Sequence, residues 1–106
     1  MKYFIDTHDR TKGSFPATDV NQEQMLALYN GFDAALQNEG GLPLGLHVNL
    51  AAGKVFCLTA AEAEENVFSA HQVIKLPYDS ITQVQRVSGM DMREAAPVGA
   101  GATRMG

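Results

Sequence analysis

The chain has 106 residues, of which 45% are hydrophobic and 19% are charged, and its formal net charge is −4. This length and composition suit one globular domain with a single core. The scattered basic residues argue against a nucleic-acid-binding surface, and no apolar segment reaches the roughly 18 residues that a membrane helix requires. A lone cysteine, Cys57, excludes an intrachain disulfide, so we expect a soluble protein of the reducing cytoplasm.

The first part of the chain has the pattern of a strand followed by a helix. A β-rich run over residues 2–8 predicts the first strand. Asp19 and Gln22 have the spacing of a capping box, which predicts the start of a helix. Apolar residues then recur at helical spacing as far as Leu36, and the glycine pair at 40–41 predicts where this helix stops.

The middle of the chain predicts a β-hairpin. Leucine and valine alternate with other residues over 44–50, and a second strand follows over 54–59. The three residues between them, ending at Gly53, suit a short loop with this glycine in the left-handed conformation. Pairing the strands around such a loop places His47 opposite Cys57, with their Cβ atoms about 4.5–5.5 Å apart.

A second helix and a last strand complete the pattern. Thr59 and Glu62 form another capping-box pattern, and the following helix carries its apolar residues on one face. Pro77 ends it, because the residue before a proline avoids helical geometry. Residues 80–87 then predict the last strand.

This order of elements, β-α-β-β-α-β, is that of a ferredoxin-like domain. We therefore predict an α+β fold for residues 1–87, with a four-stranded antiparallel sheet and both helices on one face. The third strand should lie between the first and the second. A second copy would cover the open face, giving a dimeric α-β barrel. Residues 88–106 are rich in small residues and predict a flexible or partner-contacting tail.

Several side chains suited to metal binding fall on these strands. Asp6 and His8 alternate on the first strand, so they share one face of the sheet. If this is also the face of His47 and Cys57, three adjacent strands bring together carboxylate, imidazole and thiol groups. Such ligands suit a transition ion such as nickel, copper or zinc rather than magnesium or calcium. His71, on the second helix, would join them only at a sheet edge or across a dimer contact.

Each of these residues also has a purely structural interpretation. Cys57 follows a phenylalanine in a strand and suits a small buried apolar position. His71 suits a partly buried, hydrogen-bonded position on the helix, and Asp6 and His8 suit a solvated strand end. A nucleophilic role for Cys57 fits less well, because it needs an exposed thiol with a lowered pKa.

Three segments resemble a family of small bacterial domains of unknown function, whose characterised relative is a nickel-binding protein of ferredoxin-like fold. They are Phe4-Ile5-Asp6-Thr7-His8-Asp9, Gly53-Lys54-Val55-Phe56-Cys57-Leu58 and the acid-rich helix that reaches His71. The resemblance implies a homodimer that binds a divalent metal. It matches His8, Cys57 and His71 to residues that recur in the family, and His47 to a histidine found in part of it. Where many relatives have a second helix histidine, this chain has Lys75.

Three functions follow as alternatives. The first is binding of nickel or zinc by a homodimer, without catalytic turnover, through some of His8, His47, Cys57 and His71, with Asp6 as a ligand or as an orienting group. The second is a dimeric α-β barrel enzyme or small-molecule-binding protein, with Phe4, His8 and His47 lining a cavity between two sheets. The third is a non-catalytic interaction module that uses the open face and the tail.

Overall fold

The computed structural model describes residues 1–15 and 20–90, which fold as two helices on a four-stranded antiparallel sheet. The elements are β1 (Lys2–Asp9), a short 3-10 helix (Arg10–Lys12), α1 (Gln22–Asn38), β2 (Leu42–Asn49), β3 (Lys54–Ala61), α2 (Glu64–Val73) and β4 (Ser80–Val84). The strand order is β2-β3-β1-β4, so β3 lies between β1 and β2. The predicted ferredoxin-like α+β fold is confirmed.

Both helices pack on the same face of the sheet. Along β1, Phe4, Asp6 and His8 are buried, while the residues between them are only partly buried. Phe4 belongs to one core cluster with Phe32 of α1 and Val67 of α2. The buried face of β1 is therefore the helix-covered face, and neither helix of the described residues covers the opposite face, which we call the open face.

The helices begin later than the sequence pattern predicted. Asn21, not Asp19, caps α1: its side chain accepts a hydrogen bond from the Gln24 N–H, and the Gln24 side chain accepts one from the Asn21 N–H. Asp19 lies outside the described residues. The second helix begins at Glu64 rather than near Thr59, because β3 continues through Ala61 and uses those residues for strand pairing.

The predicted hairpin register is wrong by one residue. Asn49, rather than Leu50, pairs with Lys54, so four residues connect the strands. The Asn49 side chain accepts a hydrogen bond from the Ala52 N–H, and the Gly53 N–H donates to the Leu50 carbonyl, which together close this longer turn. Gly53 does adopt the left-handed conformation, with φ +65°.

The last strand is shorter than the sequence pattern predicted, and most of the predicted tail lies outside the described residues. β4 stops at Val84, three residues before the predicted end of the last strand. Of the predicted tail, residues 88–90 are exposed and 91–106 lie outside the described residues. Within the part of the chain that the structure describes, no helix combines the length and the apolar character needed to cross a membrane.

Candidate metal centre

Three buried side chains meet between the sheet and α2. Asp6 and His8 are two residues apart on β1, so the strand's alternation directs both toward the helices. His71 lies on α2 with Val67 and Ala70, at the three- and four-residue spacing that places all three on the buried face. The packing of α2 on β1 therefore joins residues that are 65 positions apart in the sequence.

The contacts among these side chains converge on one oxygen atom. The Nε2 atoms of His8 and His71 each lie 3.0 Å from Oδ2 of Asp6. One ligand atom from each of the three residues falls within 4.8 Å of the others. Asp6 is 0% exposed, His71 1% and His8 7%, so the centre is almost closed to solvent.

Backbone carbonyl groups hold the outer nitrogen of each imidazole ring. Nδ1 of His8 lies 2.7 Å from the Pro77 carbonyl oxygen and 3.2 Å from that of Ser14. Nδ1 of His71 lies 2.8 Å from the Val67 carbonyl oxygen, one turn earlier in α2. A carbonyl only accepts hydrogen bonds, so we assign a proton to Nδ1 of both rings.

This assignment determines what can occupy the space between the rings. With Nδ1 protonated, a neutral imidazole presents a lone pair at Nε2, and the Asp6 carboxylate presents lone pairs at Oδ2. Three acceptors facing one another repel unless protons or a cation lie between them. Nitrogen–oxygen contacts of 3.0 Å are hydrogen-bond distances, so in the absence of an ion they require a proton between the two atoms of each contact.

The pKa shifts of Asp6 and His8 agree with a proton shared between these two side chains. Burial alone would raise the pKa of Asp6, but hydrogen bonds and charge from His71 and His8 outweigh it and lower that pKa below its usual 3.8. Burial alone would lower the pKa of His8, but the Asp6 hydrogen bond and charge, with the Pro77 and Ser14 carbonyls, raise it above 6.5. Both shifts favour a charged aspartate–histidine pair.

Aromatic rings enclose the helix side of the centre. The ring of His71 lies 4.6 Å from that of Phe32 and 5.0 Å from that of Tyr78, measured between centroids. The His8 and His71 rings are 5.5 Å apart. This apolar surround strengthens electrostatic interactions inside the centre, because water is largely kept out.

Cys57 is next to this centre but is not one of its three converging groups. It is directly opposite Asp6 on β3 and is buried on the same face. Its sulfur is not part of the group of ligand atoms found among the described residues. Burial, with the negative charge of Asp6, raises the pKa of the Cys57 thiol, so the thiol stays protonated near neutral pH when no ion is bound. A ligand role for Cys57 stays a prediction.

The predicted placement of His47 is wrong. His47 pairs with the exposed Phe56, while Cys57 pairs with Leu46. Because a shift of one residue reverses the face of every side chain in a strand, His47 lies on the open face, away from Asp6. Phe4 and His8 were also predicted to line a cavity between two sheets. Both are buried on the helix-covered face, so they cannot line a cavity on the open face.

His71 reaches the centre directly, which the sequence reasoning did not predict. The sequence pattern predicts that His71 joins the other ligands only at a sheet edge or across a dimer contact, whereas it contacts Asp6 within one chain. The signal was present in the helix pattern: His71 follows Val67 by four residues and is on its buried face. Lys75, one turn later, follows the end of α2 and lines a surface groove with His71 and Tyr78.

Comparison with known proteins supports the fold alone. No family profile matches the chain, and no curated protein matches it. Among solved structures, the chain is similar to SCO4226 from Streptomyces coelicolor A3(2), with a TM-score of 0.69 and 20% sequence identity. The match covers 81% of this chain and 99% of the other. The domain is thus a ferredoxin-like α+β domain with a buried Asp-His-His group able to hold a metal ion.

Proposed function

We propose that this protein binds a divalent transition-metal ion, nickel or zinc, through Asp6, His8 and His71. One observation carries the proposal: both histidines have Nδ1 bound to backbone carbonyls and Nε2 directed at one carboxylate oxygen. Metal-binding histidines commonly have this arrangement, because the carbonyl contact fixes the ring orientation and leaves Nε2 free as the ligand.

The donor set selects the class of ion. Two imidazole nitrogens and one carboxylate suit zinc, nickel and other borderline transition ions, whereas magnesium and calcium prefer oxygen ligands. A divalent ion with one carboxylate and two neutral imidazoles leaves one positive charge, which is less costly to bury than the ion alone. The near-complete burial of the three residues supports tight binding rather than catalytic turnover.

The protein is also proposed to be a homodimer. The open face of the sheet carries Phe56, which is 48% exposed, beside the partly buried Ile5, Leu58 and Val84. No helix of the described chain covers these side chains. A small domain gains burial when a second copy covers such a face. Two sheets packed in this way would form the dimeric α-β barrel.

Titration calorimetry of the chelator-treated protein tests the metal proposal. We expect one Ni²⁺ or Zn²⁺ per chain with a dissociation constant of about 1 µM or lower, and no binding of Mg²⁺. His8→Gln and His71→Gln should each weaken binding by about 100-fold, because even the outer contacts of a metal site contribute 10–100-fold.

His47→Gln is the matched control, since it removes an imidazole from the opposite face of the same sheet. Its affinity should equal that of the wild type. Thermal melts of all three variants, recorded without metal, show which of them keep the fold. The absence of binding by the folded wild-type protein, or equal loss in the His47 variant, would contradict the proposal.

The same titration decides the role of Cys57. A sulfur ligand would produce a thiolate-to-metal charge-transfer band when Ni²⁺ binds, and Cys57→Ser would remove it. A spectrum without this band, unchanged in the serine variant, would restrict the ligands to Asp6, His8 and His71. We place the protein in the reducing cytoplasm, where this thiol would stay unoxidised.

A further inference from the structure

The candidate metal centre is closed to solvent, so an ion can reach it only if part of its enclosure moves. Asp6, His8 and His71 are all buried. They lie on β1 and α2, which are held in the domain core by Phe4 and Val67. The part that moves must therefore be a segment that covers the centre from outside these two elements.

Two irregular segments contact His8, and they are held to different degrees. In the turn after β1, Ser14 is 4% exposed, and its hydroxyl oxygen accepts a hydrogen bond from the Asp9 N–H at 2.8 Å. The other segment is residues 75–79, between α2 and β4, which contacts His8 through the Pro77 carbonyl. We call it the strap. Its residues are alternately exposed and partly buried, so it is the less buried of the two segments.

The strap is attached to the domain at both ends. At its start, the Leu76 N–H donates to a carbonyl in the last turn of α2 at 2.9 Å. At its end, the Asp79 N–H donates to the Thr7 carbonyl at 2.7 Å. Between them, Pro77 has no N–H to donate, and its carbonyl accepts a hydrogen bond from the His8 ring. The middle of the strap is thus held to the centre through a proposed metal ligand.

The strap also separates two spaces that flank the centre. Outside it is a surface groove that His71 lines, with the Tyr78 ring 5.0 Å from the His71 ring. Inside it is a cavity of about 40 Å³ that Asp6 and His8 line. Leu76 lines both spaces. Outward movement of this leucine would therefore connect the groove with the centre.

We propose that the strap is the gate through which a metal ion enters and leaves the centre. It opens by moving Leu76 and Pro77 outward, while β1 and α2 keep their places. This gate presupposes the proposed metal binding and adds the route of the ion to it. The contacts of His8 suit such a motion: when the Pro77 carbonyl withdraws, the Ser14 carbonyl oxygen still lies 3.2 Å from Nδ1, so the ring keeps its orientation.

Stopped-flow kinetics of Zn²⁺ binding to Leu76→Ala test the gate. Leu76 is not a proposed ligand, and the contacts that the variant loses hold the strap closed both before and after the ion binds. The association and dissociation rates should therefore rise by the same factor, about tenfold. The dissociation constant, which is the ratio of these rates, should not change.

Leu50→Ala is the matched control. Leu50 is also partly buried, but it lines neither the groove nor the cavity. Its two rates should equal those of the wild type. Thermal melts show whether both variants fold, and Leu76→Val, a smaller truncation, provides the same comparison if Leu76→Ala does not fold.

Amide hydrogen exchange in metal-free protein gives a second readout that needs no ion. The hydrogen bond of the N–H at position 76 must break when the strap opens. Leu76→Ala should therefore lower the protection of this N–H by the same factor of about ten. The protection of the Ser14 N–H, which donates to the Asp9 carbonyl in the other segment, should stay unchanged.

The outcomes separate the gate from the metal centre. Unchanged Zn²⁺ rates in folded Leu76→Ala, or a faster dissociation alone, would overturn the gate and leave metal binding intact. A wild-type protein that binds neither Zn²⁺ nor Ni²⁺ would refute the metal centre. Protection at position 76 that the variant does not lower would overturn the opening of the strap, whether or not an ion binds.

Discussion

The two oxygens of the Asp6 carboxylate have different surroundings. Oδ2 faces Nε2 of His8 and of His71, while Oδ1 meets no donor among the described residues. Without an ion, protons must lie between Oδ2 and the two Nε2 atoms. These protons must leave when an ion binds there. The proposed metal binding would therefore compete with proton binding at this centre.

This competition predicts a specific pH dependence of stability. The pKa of His8 is raised above 6.5 by folding, so its contribution is complete below that value and is lost as the pH rises through the raised pKa. The pKa of Asp6 is lowered below 3.8, so its contribution is complete above that value and is lost as the pH falls through the lowered pKa. In metal-free protein the cluster should stabilise the fold most between about pH 4 and 6.5.

Thermal melts from pH 4 to 9, with chelator and with Ni²⁺, measure this dependence. The increase in melting temperature caused by Ni²⁺ should grow as the pH rises from 6 to 8, because fewer protons need to be displaced. His8→Gln should flatten the decline of the metal-free curve above pH 6.5. A metal-free protein that becomes more stable over this range, with no effect of the variant, would refute the proton assignment.

At the scale of the elements, the end of α2 has a strained residue. Lys75 adopts φ +54°, the left-handed conformation that glycine usually occupies after a helix. The conformation is held because the Leu76 N–H donates to the His71 carbonyl and the Lys75 N–H to the Gln72 carbonyl. This turn leads to Pro77, whose carbonyl accepts a hydrogen bond from the His8 ring. The end of this helix thus helps to orient a proposed ligand.

Replacing Lys75 separates the strain from the charge. Lys75→Gly should be more stable than Lys75→Ala by about 1 kcal/mol, since a side chain in the left-handed conformation costs about 1–2 kcal/mol. Both variants remove the positive charge, so the difference between them reports the backbone alone. Urea unfolding measures it, and equal stabilities would show that the left-handed turn is not strained. Neither change should weaken Ni²⁺ binding.

At the scale of the whole molecule, the elements of residues 1–15 and 20–90 cover the sheet on one face only. The helices bury the face that carries Phe4, Asp6 and Cys57, and the open face presents Phe56 and His47. The candidate metal centre is therefore contained within one chain, while the proposed dimer contact is on the other side of the sheet. Metal binding and dimerisation should be largely independent.

Phe56→Glu tests whether the open face forms the dimer contact and whether metal binding is independent of it, because this variant places a charge at the centre of the open face. We expect this variant to be a monomer by light scattering at concentrations where the wild type is a dimer, and to bind Ni²⁺ with unchanged affinity. Leu26→Glu, at an exposed position on the helix side, should remain a dimer. A wild type that is itself monomeric would rule out the homodimer.

Local patterns in the sequence were enough to predict the elements and their arrangement. Alternation placed Asp6 and His8 on one face, helical spacing predicted both helices, and the order of elements indicated the ferredoxin-like topology. These inferences depend on backbone periodicity and on the handedness of connections, which neighbouring residues determine.

Only the tertiary structure decided which residues form the centre. The Ala52 N–H donates a hydrogen bond to the Asn49 side chain and closes a four-residue hairpin turn, and in the resulting register His47 lies on the other face. The packing of α2 brought His71 to Asp6, and the chain after α2 supplied the Pro77 carbonyl to His8. Periodicity fixes how side chains alternate along one element, but which face is buried and what it meets depends on the packing of elements far apart in the sequence.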